Sequence, residues 1–247
     1  MARRDDIVAY ANELLEVERF PEYGRPGLQV IGADEVTKLA CGVSSSRELF
    51  ERAGDTDAQL VLVHHGLFWR NEPLVIDRRL KGRLQALFAA NLSLVAYHLA
   101  LDAHAELGNN ALLAARLGVG RDETFAEIGA GGSLADPVRI EELGRRLADA
   151  TGREPLVFAE GPESIERVAV VTGGGGECVI QAAHEGYDAF VTGEPEEPAL
   201  HSARELGIHF LAGGHYATET FGVKALADRL AHEFGLEWEF LELPNPV

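Results

Sequence analysis

The chain has 247 residues, 46% of them hydrophobic, enough for one large globular domain or two modest ones without the core becoming limiting. Its 22 Lys and Arg stand against 40 Asp and Glu, a formal net charge of −18, which argues against direct nucleic-acid binding because phosphate contacts draw on clustered Lys and Arg. There is no uncharged apolar run of about 18 residues to suggest a membrane helix.

Residues 5–18 carry Ile7, Val8, Ala11, Leu14 and Leu15 at helical spacing, and Pro21 stops the pattern, so an amphipathic helix opens the chain. From Val36 onward KLACGVS reads as a strand, SRELFERAG as a helix and AQLVLVHH as a second strand. RRLKGRLQALFAAN, LSLVAYH and NNALLAARLG continue as helix, strand and helix. Short apolar runs alternating with helical periodicity specify an α/β layered fold.

The same order returns in the second half. RVAVVT at 167–172 matches the first strand, residues 177–184 the helix, AFVT at 189–192 the second strand and IHFLA at 208–212 the third. The helix NNALLAARLGV corresponds to TFGVKALADRLAHEFGL, and His98-x-x-x-Asp102 aligns with His215-x-x-x-Glu219. The expected fold is therefore α/β with two similar lobes related by internal duplication, residues 1–125 and 126–247, with an approximate boundary and lobes free to interleave. The join is placed near residues 121–132, and 151–166 forms a second irregular stretch. Strand–helix alternation repeats by nature, so coincidental similarity is the alternative.

His64 and His65 end an apolar strand and precede Gly66, at the carboxyl end where open α/β sheets place ligand sites. Adjacent side chains on a regular strand face opposite ways, so both serve one site only if the chain turns there or if two metals share them. One buried, hydrogen-bonded histidine beside one surface histidine is the plain reading. His215 and Glu219 share a helical face after the turn Gly213-Gly214, although Glu219 also fits as a first-turn acid favoured by the helix dipole. Asp102 suits a hard oxygen ligand, and His98 is either a ligand or its neighbour. The Gly173–Gly176 run lacks the Gly-Lys-Ser/Thr ending of a P-loop and reads better as a tight turn than as an anion nest. Glu194 either lines the same cleft or is a solvated loop acid. His104, His184, His201, His209 and His232 have no partner spacing and are expected to be structural or superficial, and Trp69 to pack or to wall a cavity.

Together, LVLVHHGLFW, AYHLALDAH with NNALLAARLG, VTGGGGE, AFVTGE and GGHYATE resemble the GTP cyclohydrolase I type 2-like, or Nif-three-like, family across nearly the whole chain. The resemblance implies a dinuclear centre with His64, His65, Asp102, His215 and Glu219 as metal ligands, Glu219 able to bridge the ions. It also implies a homohexamer with the metal sites facing an internal cavity. The family often carries Trp-Asp-Asn before GLQVG, whereas this chain reads EYGRPGLQVIG, a departure that bears on substrate fit more than on metal binding. The cofactors expected are two divalent ions per subunit, and mixed nitrogen and oxygen donors do not choose among Zn, Mn, Fe and Ni. Water activated between two ions suits hydrolysis of a purine-ring C–N bond or a phosphoester, so a small-molecule nucleotide is the expected partner. His98 is the candidate for proton transfer or outer-shell support. A non-enzymatic, metal-binding regulatory or chaperone-like oligomer is the alternative.

Cys41 and Cys178 lack C-x-x-C spacing and read as ordinary thiols. The charged opening MARRDD does not fit a signal peptide, so the cytoplasm is the expected location. Only 3 of the 22 basic residues are lysines, as on salt-adapted surfaces, with base-composition bias as the competing explanation. Salt adaptation predicts a melting temperature that rises between low and molar KCl; a flat or falling profile contradicts it.

Overall fold

Strands apolar at nearly every position have to be covered on both faces, which calls for a parallel sheet between helices. The computed structural model, which describes residues 1–73 and 75–247, meets that demand twice. The chain opens with β1 (Ala2–Arg3), α1 (Arg4–Leu14), β2 (Gly27–Val30), β3 (Glu35–Val36) and β4 (Lys38–Ser44). It continues through α2 (Arg47–Asp55), β5 (Leu60–His65), α3 (Arg78–Ala89), β6 (Ser93–Ala96) and α4 (Leu99–Asp102). β4, β5 and β6 are parallel, and β2 closes an edge antiparallel to β6. Val61 and Val63 of β5 pack with Leu49 and Phe50 of α2 and Leu87 of α3. Ser46 and Asp77 accept hydrogen bonds from the N–H groups of Leu49 (3.0 Å) and Leu80 (2.7 Å), fixing where α2 and α3 begin.

The plan then recurs. After α5 (Asn109–Leu117), β7 (Glu123–Phe125) and β8 (Gly129–Val138) come α6 (Ile140–Thr151), β9 (Leu156–Phe158) and β10 (Ile165–Val171). α7 (Val179–His184), β11 (Ala189–Thr192), α8 (Ala199–Leu206), β12 (His209–Ala212) and α9 (His215–Thr218) follow. β10, β11 and β12 are parallel, with β9 antiparallel on the β12 edge. Thus β9, β10, β11 and β12 take the sheet positions that β2, β4, β5 and β6 take in the first sheet. The far edges differ. β8 and β7 extend the second sheet antiparallel, whereas the chain end, through α10 (Thr220–Phe234), supplies β13 (Glu237–Phe240) as a parallel neighbour of β4.

The chain divides into a unit of Met1–Leu101 with Gly222–Leu243 and a unit of Asp102–Phe221 with Pro244–Val247. This differs from the expected 1–125 and 126–247 split, for two physical reasons. Residues 123–138 are not a join but two strands hydrogen-bonded into the second sheet, with α5 packed beside them. The last strand returns to the first sheet through β4. The stretch 151–166, expected to be irregular, holds the end of α6 and the short strand β9.

Cys41 is buried in β4 and Cys178 is half-buried. Both are free, and burial pushes their thiols up to about 12 and about 11, which keeps them inert. Among the described residues, no helix is long and apolar enough to cross a membrane.

Candidate metal centre

Parallel strands deliver side chains to their carboxyl ends, and the first unit uses two such ends. His64 and His65 terminate β5, and His98 lies just beyond β6. The His64 and His65 rings lie 4.8 Å apart, and His98 stands 4.9 Å from His64 and 5.5 Å from His65 between centroids. One donor atom from each of the three falls within 4.8 Å of the others. Strand pairing runs as far as the register pair Ser44 with His65, after which Gly66 follows, and the 4.8 Å ring separation shows that the two neighbouring side chains nevertheless come together. A Cβ on Gly66 would collide with the Gln29 amide, whose Oε1 accepts a 2.7 Å hydrogen bond from Leu67 N–H. His64 is fully buried, and its Nδ1 lies 2.9 Å from the Tyr97 carbonyl oxygen. A carbonyl only accepts, so the neutral ring carries its proton on Nδ1 and its lone pair on Nε2, the form in which a histidine binds a metal. His65 Nδ1 lies 2.9 Å from the Ser44 hydroxyl.

The second unit assembles carboxylates and an imidazole. Gly214, at φ +95°, turns the chain from β12 into α9, and Thr218 locks the turn by donating to the Gly214 carbonyl (2.9 Å). The helix expected from Tyr216 starts at His215 and breaks at Glu219 before α10. His215 Nε2 nevertheless lies 3.1 Å from Glu219 Oε2, and its Nδ1 lies 3.1 Å from Glu194 Oε1. Gly173, at φ +68°, passes so close that a Cβ there would collide with Glu219 Oε1. The glycine run is therefore a tight turn that makes room for a carboxylate. Asp102, 5% exposed, accepts a 2.7 Å hydrogen bond on Oδ1 from Asn109 Nδ2. Asn110 donates to the Asp102 carbonyl (3.2 Å) and accepts from Thr172 N–H (2.7 Å), tying the end of α4 to the end of β10.

Imidazole nitrogen and carboxylate oxygen suit borderline and hard divalent ions, so these donor sets fit a metal. The model for Duf34/NIF3 (NGG1p interacting factor 3) matches residues 2–246. The chain belongs to that family. A "GTP cyclohydrolase 1 type 2 homolog" of Pseudomonas aeruginosa is 43% identical over 98% of this chain and 97% of its own length. The Escherichia coli K12 protein of that name is 43% identical over 99% and 100%. Among solved structures, the protein ybgI, described as of unknown function, superposes with a TM-score of 0.96 at 41% identity, covering 100% of both chains. TTHA1606 from Thermus thermophilus gives 0.93 at 38% identity, also with full coverage.

Several site residues carry no motif of their own. Asn109 and Asn110 sit in what reads simply as a helix, yet they hold Asp102. Glu194, left open between cleft and solvent, faces His215. The bland expectations for two histidines fit the structure: His104 Nδ1 accepts from the N–H groups of Glu106 (3.1 Å) and Leu107 (3.0 Å), and buried His209 bridges Gly161 N–H and the Pro162 carbonyl.

In the metal-free protein, burial disfavours a charged His215 ring, but Glu219 and Glu194 outweigh it and raise the imidazole to about 9. A pKa raised from 6.5 to about 9 contributes stability that is complete below pH 6.5 and is lost as pH rises through 9. Urea unfolding of metal-free protein is therefore expected to show about 1–3 kcal/mol less stability above this window than below it. The His215→Gln variant should lose most of that slope; an equal slope in both proteins contradicts the assignment.

Proposed function

We propose that the chain is a metal-dependent hydrolase that binds two divalent ions through His64, His65, Asp102, His215 and Glu219 and cleaves a purine-ring C–N bond or a phosphoester. The observation that carries this reading is the convergence of imidazoles beyond buried parallel strands: one nitrogen of each of His64, His65 and His98 lies within 4.8 Å of the others, which brings two of the proposed ligands together beside the proposed proton carrier. Bound divalent ions supply Lewis acidity and a water acidified toward neutral pH.

The protein's own groups do the positioning. The Tyr97 carbonyl holds His64 in one tautomer, Asn109 aims Asp102, and Glu194 holds Nδ1 of His215. Glu219, 3% exposed, is kept from water at the turn shaped by Gly173. In this reading His98, 20% exposed at its side chain, carries a proton to or from a substrate. GTP is the first substrate to test because the relatives at 43% identity are called GTP cyclohydrolase 1 type 2 homologs. A homohexamer is part of the same reading, and a monomer by sedimentation would remove it. The family description, an NGG1p interacting factor, favours as a second reading a metal-binding protein whose partner is another protein.

Elemental analysis after reconstitution with Zn, Mn, Fe or Ni should find two ions per chain. His65→Ala should lower that count and reduce turnover of GTP, or of whichever nucleotide a screen identifies, by at least about 100-fold. Failure to bind metal, or full retention of both ions in the variant, contradicts the metal assignment. A fully loaded wild-type protein inert toward nucleotides and phosphodiesters sinks the hydrolase reading and leaves the interaction reading standing.

A further inference from the structure

Glu22 is a buried carboxylate with no role in the ligand set above. Its side chain is only 5% exposed. Oε1 accepts a 2.9 Å hydrogen bond from the N–H of Ala100, in the first turn of α4. Oε2 is buried and makes no hydrogen bond among the described residues, and the same holds for His98 Nδ1. The two atoms face each other at 3.5 Å, an ion-pair distance just longer than a hydrogen bond.

A buried carboxylate oxygen left in this state is costly unless its neighbour donates to it. His98 Nδ1 is that neighbour. The loop bearing Glu22 is held from behind: Arg70 donates from its guanidinium to the Glu22 carbonyl (3.1 Å) and from its N–H to the Tyr23 carbonyl (2.7 Å). Gly24 and Trp69 form an isolated antiparallel bridge, and the Trp69 ring stands edge-on to His98 at 5.1 Å. Backbone bonds thus hold the Glu22 loop and the Trp69 ring abuts His98, keeping the two atoms facing each other.

We propose that Glu22 is the positioning residue of His98: its carboxylate holds the imidazole proton on Nδ1 and leaves Nε2 as the basic nitrogen turned to the reaction. This rests on the reading of His98 as the proton carrier of a hydrolase. It gives one logic to two histidines of the cluster, since a carbonyl does for His64 what a carboxylate does for His98. Sequence spacing could not reveal it, because Glu22 and His98 are 76 positions apart and meet only through the fold.

The test is long-range 1H–15N correlation of the histidine rings in metal-free protein at pH 8, for wild type, Glu22→Gln and Glu22→Ala, with His98→Gln assigning the signals. Wild type should show His98 as the Nδ1–H tautomer. Both Glu22 variants should shift it toward Nε2–H, while the His64 signals stay in place. Glu22→Gln retains an oxygen for Ala100 N–H, so its melting temperature should remain close to wild type and separate positioning from misfolding. With a substrate in hand, kcat should fall about 10–100-fold with KM changed less than about 3-fold. A wild-type His98 that is Nε2–H or doubly protonated, or a tautomer unmoved in folded Glu22→Gln, overturns the proposal. Because the readout needs no metal, it stands or falls apart from the metal assignment; a protein that binds no ion yet shows the tautomer shift defeats only the hydrolase reading.

Discussion

Everything about the candidate donors depends on one constraint: imidazoles and carboxylates, several of them buried, stand at or just beyond the carboxyl ends of parallel strands. His64 is fully buried, Glu219 is 3% exposed and Asp102 is 5% exposed. Removing such groups from water costs several kcal/mol each unless a partner replaces the lost hydration. The fold supplies those partners from backbone and side-chain groups close by: the Tyr97 carbonyl for His64, the Asn109 amide for Asp102 and the His215 ring for Glu219. Within each unit, folding thus leaves dehydrated donors already oriented by their partners.

The duplicated topology explains where the donors come from. β6 leads into α4 as β12 leads into α9, and the pairs His98 with Asp102 and His215 with Glu219 occupy these equivalent turns. β5 and β11 are equivalent as well. One ends in His64-His65-Gly66, and the other runs into Gly193-Glu194, with Glu194 held against His215. One structural plan has thus been filled with nitrogen-rich chemistry in one copy and carboxylate-rich chemistry in the other. Mixed donors of this kind suit ions that act on water and on polarised bonds.

The central strands were legible in the sequence because burial on both faces makes them continuous apolar runs. KLACGVS and AFVT coincide with β4 and β11. The edges were not legible. β8 reads GAGGSLADPV, small residues and a proline with no alternation, and β9 has three residues, so only pairing with β10 and β12 makes them strands. The boundary between the lobes is only approximate in the sequence for the same reason, since no local signal shows that residues 123–138 join the second sheet or that residues 237–240 return to the first. At the site, histidines and acids in short motifs were visible. The residues that hold them, Glu22, Asn109, Asn110 and the turn at Gly173, were not, because their roles exist only through contacts distant in sequence.

The central claim is that these donors hold metal, and anomalous scattering from crystals of the reconstituted protein tests it most directly. Data collected on both sides of the edge of the loaded ion should place two peaks per chain, each about 2.0–2.2 Å from imidazole nitrogen or carboxylate oxygen of His64, His65, Asp102, His215 and Glu219. Peaks confined to surface carboxylates, or none at these five side chains in fully loaded protein, would contradict the account.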